Sequence, residues 1–185
     1  MRRTFFFLLV AAAAVFALTH RRMHQHDDDT YLEYLTNRVE CADWQTYDNP
    51  DYGYSVRYPS CFIPAAAEEE GTARFAYVEE VTPLQNVTYM MLELSTERCT
   101  DSLHPYRDIR SKAESMKAIC LKQSDDCYLM TGKMVSRDPK VTAYRFNAKY
   151  VLRQRLWFVQ TFIYPEDFAP AVRRIVKEVH EWKPF

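Results

Sequence analysis

A chain of 185 residues with 48% apolar side chains has room for one packed domain and is too apolar for wholesale disorder. Its 24 basic and 25 acidic side chains leave a formal charge of −1, which offers no electrostatic footprint for nucleic acid. Three dispersed glycines, Gly53, Gly71 and Gly132, exclude glycine-rich phosphate loops and the Gly-x-Ser-x-Gly nucleophile elbow, so no cofactor is expected.

The N-terminus has the layout of an export signal. Arg2 and Arg3 precede an unbroken apolar run from Phe5 to Leu18. As a helix that run reaches roughly 21 Å, short of a hydrocarbon core of about 30 Å. Val15-Phe16-Ala17 offers a cut before Leu18. Arg21 and Arg22 pull the other way, towards a retained anchor. Residues 1–18 are therefore read as a signal peptide or an N-terminal membrane anchor. Either places the rest outside the cytoplasm, in a periplasm or secreted. Residues 19–29 lack an apolar period and read as a polar tail.

A single α+β domain is expected over residues 30–185, with a helix over 30–42 and the sheet core over 43–185. Thr30 and Glu33 fit a capping box, and Leu32, Leu35 and Val39 form the apolar stripe of that helix. Residues from Trp44 to Pro59 read as a hairpin. Asp48 to Gly53 is dense in turn formers, and Tyr54 to Tyr58 alternates apolar and polar. Thr72–Val78 and Val87–Ser95 are further strands, rich in aromatic and branched side chains. Asn86-Val87-Thr88 is a glycosylation sequon, meaningful only in a eukaryotic secretory host. Leu103, Tyr106, Ile109, Ala113, Met116 and Cys120 then recur every three or four residues, the period of an amphipathic helix.

Three strands are expected at Tyr128–Val135, Val141–Leu152 and Leu156–Tyr164. Their short connections force antiparallel pairing. The last helix starts at Pro165-Glu166-Asp167, buries Phe168, Val172, Ile175, Val179 and Trp182, and ends at Pro184. Strands grouped around a few helices, without β-α-β alternation, give an antiparallel sheet flanked by helices.

Two stretches carry a family resemblance. One is Trp44-x-x-Tyr47, a turn, then Tyr52-Gly53-Tyr54-Ser55-Val56-Arg57-Tyr58-Pro59. The other is the closing strand ending at Tyr164-Pro165, with a helix that contains Arg174-Ile175-Val176. Over residues 43–185 the chain resembles the PsbP-like family, which includes the Ran-binding Mog proteins. Tyr54 stands where that family usually has Phe. The resemblance implies an α-β-α sandwich and a protein that binds partners without catalysis. It assigns no functional residue.

The side chains themselves offer four constellations. His24, His26 and Asp27 are donors suited to zinc, copper or nickel, or else belong to a solvated tail. Cys120 and Cys127 flank a polar turn that a disulfide would staple, and the odd total of five cysteines leaves a free thiol or an intermolecular partner. Arg145, Lys149, Arg153 and Arg155 gather on one hairpin. They form either the solvated side of a sheet or a contact for an acidic partner or lipid headgroup. Arg145 and Lys149 share a face by even spacing. His104 and His180 lie near helix ends without a paired nucleophile, and a cation at His180 suits the helix dipole.

The function read from this is a non-catalytic, exported or tethered accessory protein that binds a protein or envelope component. The alternative is a hydrolase whose Cys or carboxylates assemble only in space.

Overall fold

The computed structural model describes residues 30–67, 71–82, 85–101, 103–134 and 143–185. Helix α1 covers 30–40. A two-stranded hairpin follows, β1 (Trp44–Asn49) with β2 (Tyr54–Pro59). The main sheet comprises β3 (Ile63–Ala65), β4 (Ala73–Thr82), β5 (Gln85–Arg98), β6 (Ile119–Ser124), β7 (Cys127–Met134), β8 (Tyr144–Arg153) and β9 (Leu156–Pro165). Its order is β3-β4-β5-β9-β8-β7-β6, with every described pairing antiparallel. Helix α2 is Pro105–Ser115, and α3 is Arg173–Glu181. Among the described residues no helix is long and apolar enough to cross a membrane.

The sheet is covered on both faces, as an α-β-α sandwich requires. One core joins Leu35 and Val39 of α1 and Tyr54, Val56 and Tyr58 of β2 to Ile175 and Val179 of α3. These lie against Phe75, Leu92, Leu94, Phe158 and Phe162 of the sheet. The alternation of β2 puts its three apolar side chains inward, and Tyr58 stacks on Phe75 with ring centres 4.0 Å apart. The second core sets Ile109 and Ala113 of α2 against Tyr128, Met130, Phe146, Ala148, Trp157 and Val159. Even and odd positions of β8 and β9 therefore serve different cores. A one-residue slip would send both sets to the wrong side.

The motif residues separated in sequence meet in one clasp. The guanidinium groups of Arg57 and Arg174 both lie against the Trp44 ring, at 5.2 and 4.8 Å from its centre. Arg174 also donates to the carbonyls of Glu40 and Ala42, at 2.6 and 2.9 Å, which closes the C-terminal end of α1. Beyond α3, the Trp182 indole N–H donates to the Ser55 carbonyl at 2.7 Å, and the Ser55 amide donates to the Pro184 carbonyl. The last helix thus ties α1 and the hairpin to the sheet.

The structure corrects two expected elements. The helical period that continues through Met116 and Cys120 is broken at Lys117, which takes a left-handed φ of 52°. Helix α2 ends at Ser115, and Cys120 lies in an extra strand, β6. At the other end, Glu166–Phe168 is a short 3-10 turn, and α3 begins only at Arg173, beyond Pro170. The ring of Pro170 has no place inside a continuous helix. Phe168 is partly buried, while Val172, Ile175, Val179 and Trp182 are buried as expected.

Candidate functional site

At one end of the sheet the β1–β2 turn stands beside the β8–β9 turn. The first is organised by Asn49, whose side-chain oxygen accepts the amides of Asp51 and Tyr52 at 3.1 Å each. The Asn49 amide donates to the Tyr54 hydroxyl, which donates to the carbonyl of Gly71. Gly53 closes the turn with φ of 65°, a conformation that suits glycine.

The second turn has two residues, Gln154 and Arg155, with φ of 51° and 70°. Asn-Gly or Asp-Gly is the usual choice at such positions. Each side chain here pays a steric cost of about 1 kcal/mol. The Arg155 carbonyl accepts the Cys99 amide at 2.9 Å, so the strained turn is anchored.

Between the two turns lies a cleft of about 510 Å³, lined by Asp51, Tyr52, Gly53, Arg153, Gln154, Leu156, Phe158 and Phe185. The Arg153 guanidinium sits over the Phe185 ring at 4.1 Å, and Phe185 meets Phe158 edge-on at 4.8 Å. The cleft offers one stacked cation, a carboxylate, an amide, a phenol and an aromatic wall. Such a set offers polar and aromatic groups to a ligand, and no nucleophile–base pair stands among these lining residues.

The four basic residues expected to act together are dispersed along β8 and its turn. Arg145, Lys149 and Arg153 do share one face, but α3 covers its middle. Lys149 is only 6% exposed and donates to the carbonyl of His180 at 2.8 Å, at the C-terminal end of α3. Burial holds its pKa below the ordinary lysine value. Arg145 lies towards the other end, 3.8 Å from Glu166, which also pairs with Lys133. Of the four, Arg153 reaches the cleft and Arg155 sits in the turn beside it. Local spacing gave the strand parity correctly. It carries no sign of which face a distant helix will cover.

His180 is corrected as well. Its ring nitrogen lies 3.4 Å from the Asn147 side-chain oxygen, and burial, then the charge of Lys149, depress its pKa. It is a neutral partner in a polar seam with Asn147 and Lys149, rather than a cation at a helix end. His104 lies 3.5 Å from Asp101, exposed at the start of α2.

The Cys120–Cys127 staple does not form. Cys120 stands opposite Met130, and Cys127 stands opposite Ser124. That leaves the two about 10 Å apart along the ladder, with side chains on opposite faces and beyond disulfide reach. Both are free, as are Cys41, Cys61 and Cys99. Burial pushes the thiols of Cys61, Cys99, Cys120 and Cys127 above the ordinary value, which works against a nucleophilic thiolate. His24, His26 and Asp27 lie outside the described residues. Among the described residues no His, Cys, Asp and Glu cluster is placed to hold a metal.

The most elaborate polar arrangement lies elsewhere, at the joint of α2 and the sheet. The Asp108 carboxylate is 8% exposed. It accepts the Thr100 hydroxyl at 2.5 Å, the Trp157 indole N–H at 2.8 Å and the Thr100 amide at 3.3 Å. Burial raises its pKa, but these donors outweigh burial and hold the net value below the usual carboxylate range. Its donors are all provided within the fold, so its role is fastening. Sequence reading missed Asp108 because its partners lie 8 and 49 residues away. It also missed Phe185, for which no local signal exists. Gln154 was detectable in principle, as a two-residue turn without glycine between alternating strands.

No protein-family model and no curated protein matches the sequence. Among solved structures, the Ran-binding protein Mog1p of Saccharomyces cerevisiae superimposes with a TM-score of 0.54 at 8% identity. The match covers 76% of this chain and 94% of that one. This chain is similar to Mog1p in fold. The solution structure of cyanobacterial PsbP (CyanoP) from Synechocystis sp. PCC 6803 gives a TM-score of 0.49 at 14% identity, over 76% of this chain and 91% of that one. An α+β architecture like that of Mog1p is present. At 8% identity the likeness to Mog1p extends to the fold alone.

Proposed function

We propose that this chain is a non-catalytic binding domain that works outside the cytoplasm, released or tethered through residues 1–18, and that it grips a protein partner with the cleft between its two turns. The observation that carries the reading is the β8–β9 turn. Gln154 and Arg155 hold left-handed conformations at an exposed tip where glycine and asparagine would be easier. Retention of such strain beside an open cleft is the mark of a turn kept for its side chains. Arg153 lines the cleft and Arg155 stands in the turn beside it, a basic edge suited to an acidic segment of the partner. Mog1p, of the same fold, is itself a Ran-binding protein, which supports protein recognition in general. An envelope component as partner rests on the apolar run from Phe5 to Leu18.

The test is affinity purification from intact, chemically crosslinked cells of the wild type and of the Arg153→Glu/Arg155→Glu double variant. The reading expects a partner retained by the wild type, lost by the variant and weakened by salt. Identical recovery by both proteins refutes the cleft. N-terminal sequencing checks the address separately. Leu18 as first residue, or intact Met1 in the membrane fraction, agrees with it; an intact chain in the cytosol contradicts it.

A further inference from the structure

Strand β6 is the last strand of the large sheet, and no described strand pairs with its outer edge. It is exposed along its length except at Cys120, which is half-buried. Ile119 is 65% exposed and Leu121 57%. These two stand opposite Thr131 and Leu129, so they point to the face that carries α3. Helix α3 packs on β8, β9 and β2, and leaves this strip bare. Natural edge strands are guarded by proline, by bulges or by inward-pointing charge. Here there is no proline, and the bulge lies only near the turn, between Lys122 and Ser124. The strand's single charge, Lys122, is already paired with Asp125.

We propose that a second copy of this chain covers the edge, β6 against β6 antiparallel, around a two-fold axis through Cys120. The argument is self-complementarity. With the axis at Cys120, Ile119 of one copy faces Leu121 of the other, and symmetry repeats the pair. Four aliphatic side chains then form one closed patch on the uncovered face. Lys122 faces Ala118 of the second copy, so no like charges stand opposite each other. With the axis moved one residue to Leu121, Ile119 would face Gln123 and the apolar match would be halved. An extended segment of another protein would have to supply the same alternation, which a second copy already carries. The same axis brings the two Cys120 side chains opposite each other on the α2 side. About this axis only Ile119–Leu121 of each copy lie within both strands, so the pairing buries less than a standard interface and the dimer is a weak one, forming at roughly ten micromolar and above.

Sedimentation equilibrium of the full chain in mild detergent, from about 1 to about 200 µM, tests this range. Three proteins are compared: wild type, Leu121→Lys and Ile119→Lys. Both substituted side chains are exposed, and circular dichroism checks that each variant folds. The wild type is expected to dimerise, and each variant to weaken association at least about tenfold with unchanged melting. A short bismaleimide is expected to join Cys120 to Cys120, identified by mass spectrometry of the linked peptide. A wild type that stays monomeric throughout overturns the proposal. So does a dimer that survives both substitutions. A dimer lost in the variants whose thiol crosslink excludes Cys120 overturns the axis.

Discussion

The two faces of the sheet treat buried polar groups in opposite ways. Under α2, Asp108 is saturated by three donors from Thr100 and Trp157. Under α3, Gln160 is completely buried, and neither its amide nitrogen nor its oxygen has a hydrogen-bond partner among the described residues. Its neighbour across the ladder is Lys149, whose pKa burial has lowered. One face uses polarity as a fastener. The other carries polarity at a cost in Gln160, while Asn147, Lys149 and His180 beside it are hydrogen-bonded. A satisfied buried group stabilises its joint, and an unsatisfied one weakens the core around it.

The largest effect expected from this contrast is at the fastener. Asp108→Ala strands the indole N–H and the Thr100 donors, and should lower stability by about 3 kcal/mol in urea unfolding. Loss of less than about 1 kcal/mol would mean that α2 is held by packing alone. The opposite face should respond with the opposite sign. Gln160→Leu, which removes the orphan amide and keeps most of the volume, is expected to raise stability by about 1–2 kcal/mol.

Next comes the turn joining the two central strands. Gln154→Asn with Arg155→Gly should relieve the left-handed strain and raise stability by about 1 kcal/mol, while abolishing partner capture. A neutral effect on stability would remove strain as the reason the turn is notable. The smallest effect is a pH slope. His180 has a depressed folded pKa, so the unfolded chain binds its proton first as pH falls. The stability it contributes is intact above the unfolded value of about 6.5 and declines below it. Between pH 7.5 and 5.5 the wild type should lose more stability than His180→Gln.

These contrasts also show what local patterning conveys. The alternation of Tyr54, Val56 and Tyr58, and the spacing of Val172, Ile175, Val179 and Trp182, were legible because each reports a face buried by its own element. The strand β6 was not legible. Its apolar side chains Ile119 and Leu121 face outward, and Cys120 by chance continued the period of α2. The stop at Lys117 came without the glycine that usually signals it. The site was half legible. Arg153 and Arg155 stood out by charge, whereas the cleft exists only because turns about a hundred residues apart meet. Lys149 illustrates the limit most clearly, since a surface residue by pattern became a helix-capping residue once α3 docked.

The central claim is that the strained turn and its cleft are where a partner is held. Site-specific photocrosslinking in intact cells tests it most directly, with Gln154→p-benzoylphenylalanine in an otherwise wild-type chain. The account predicts a discrete adduct between this position and a different protein, abolished when Arg153→Glu is added. An adduct that persists unchanged in the Arg153→Glu background, or no adduct at all from the tip, would contradict it.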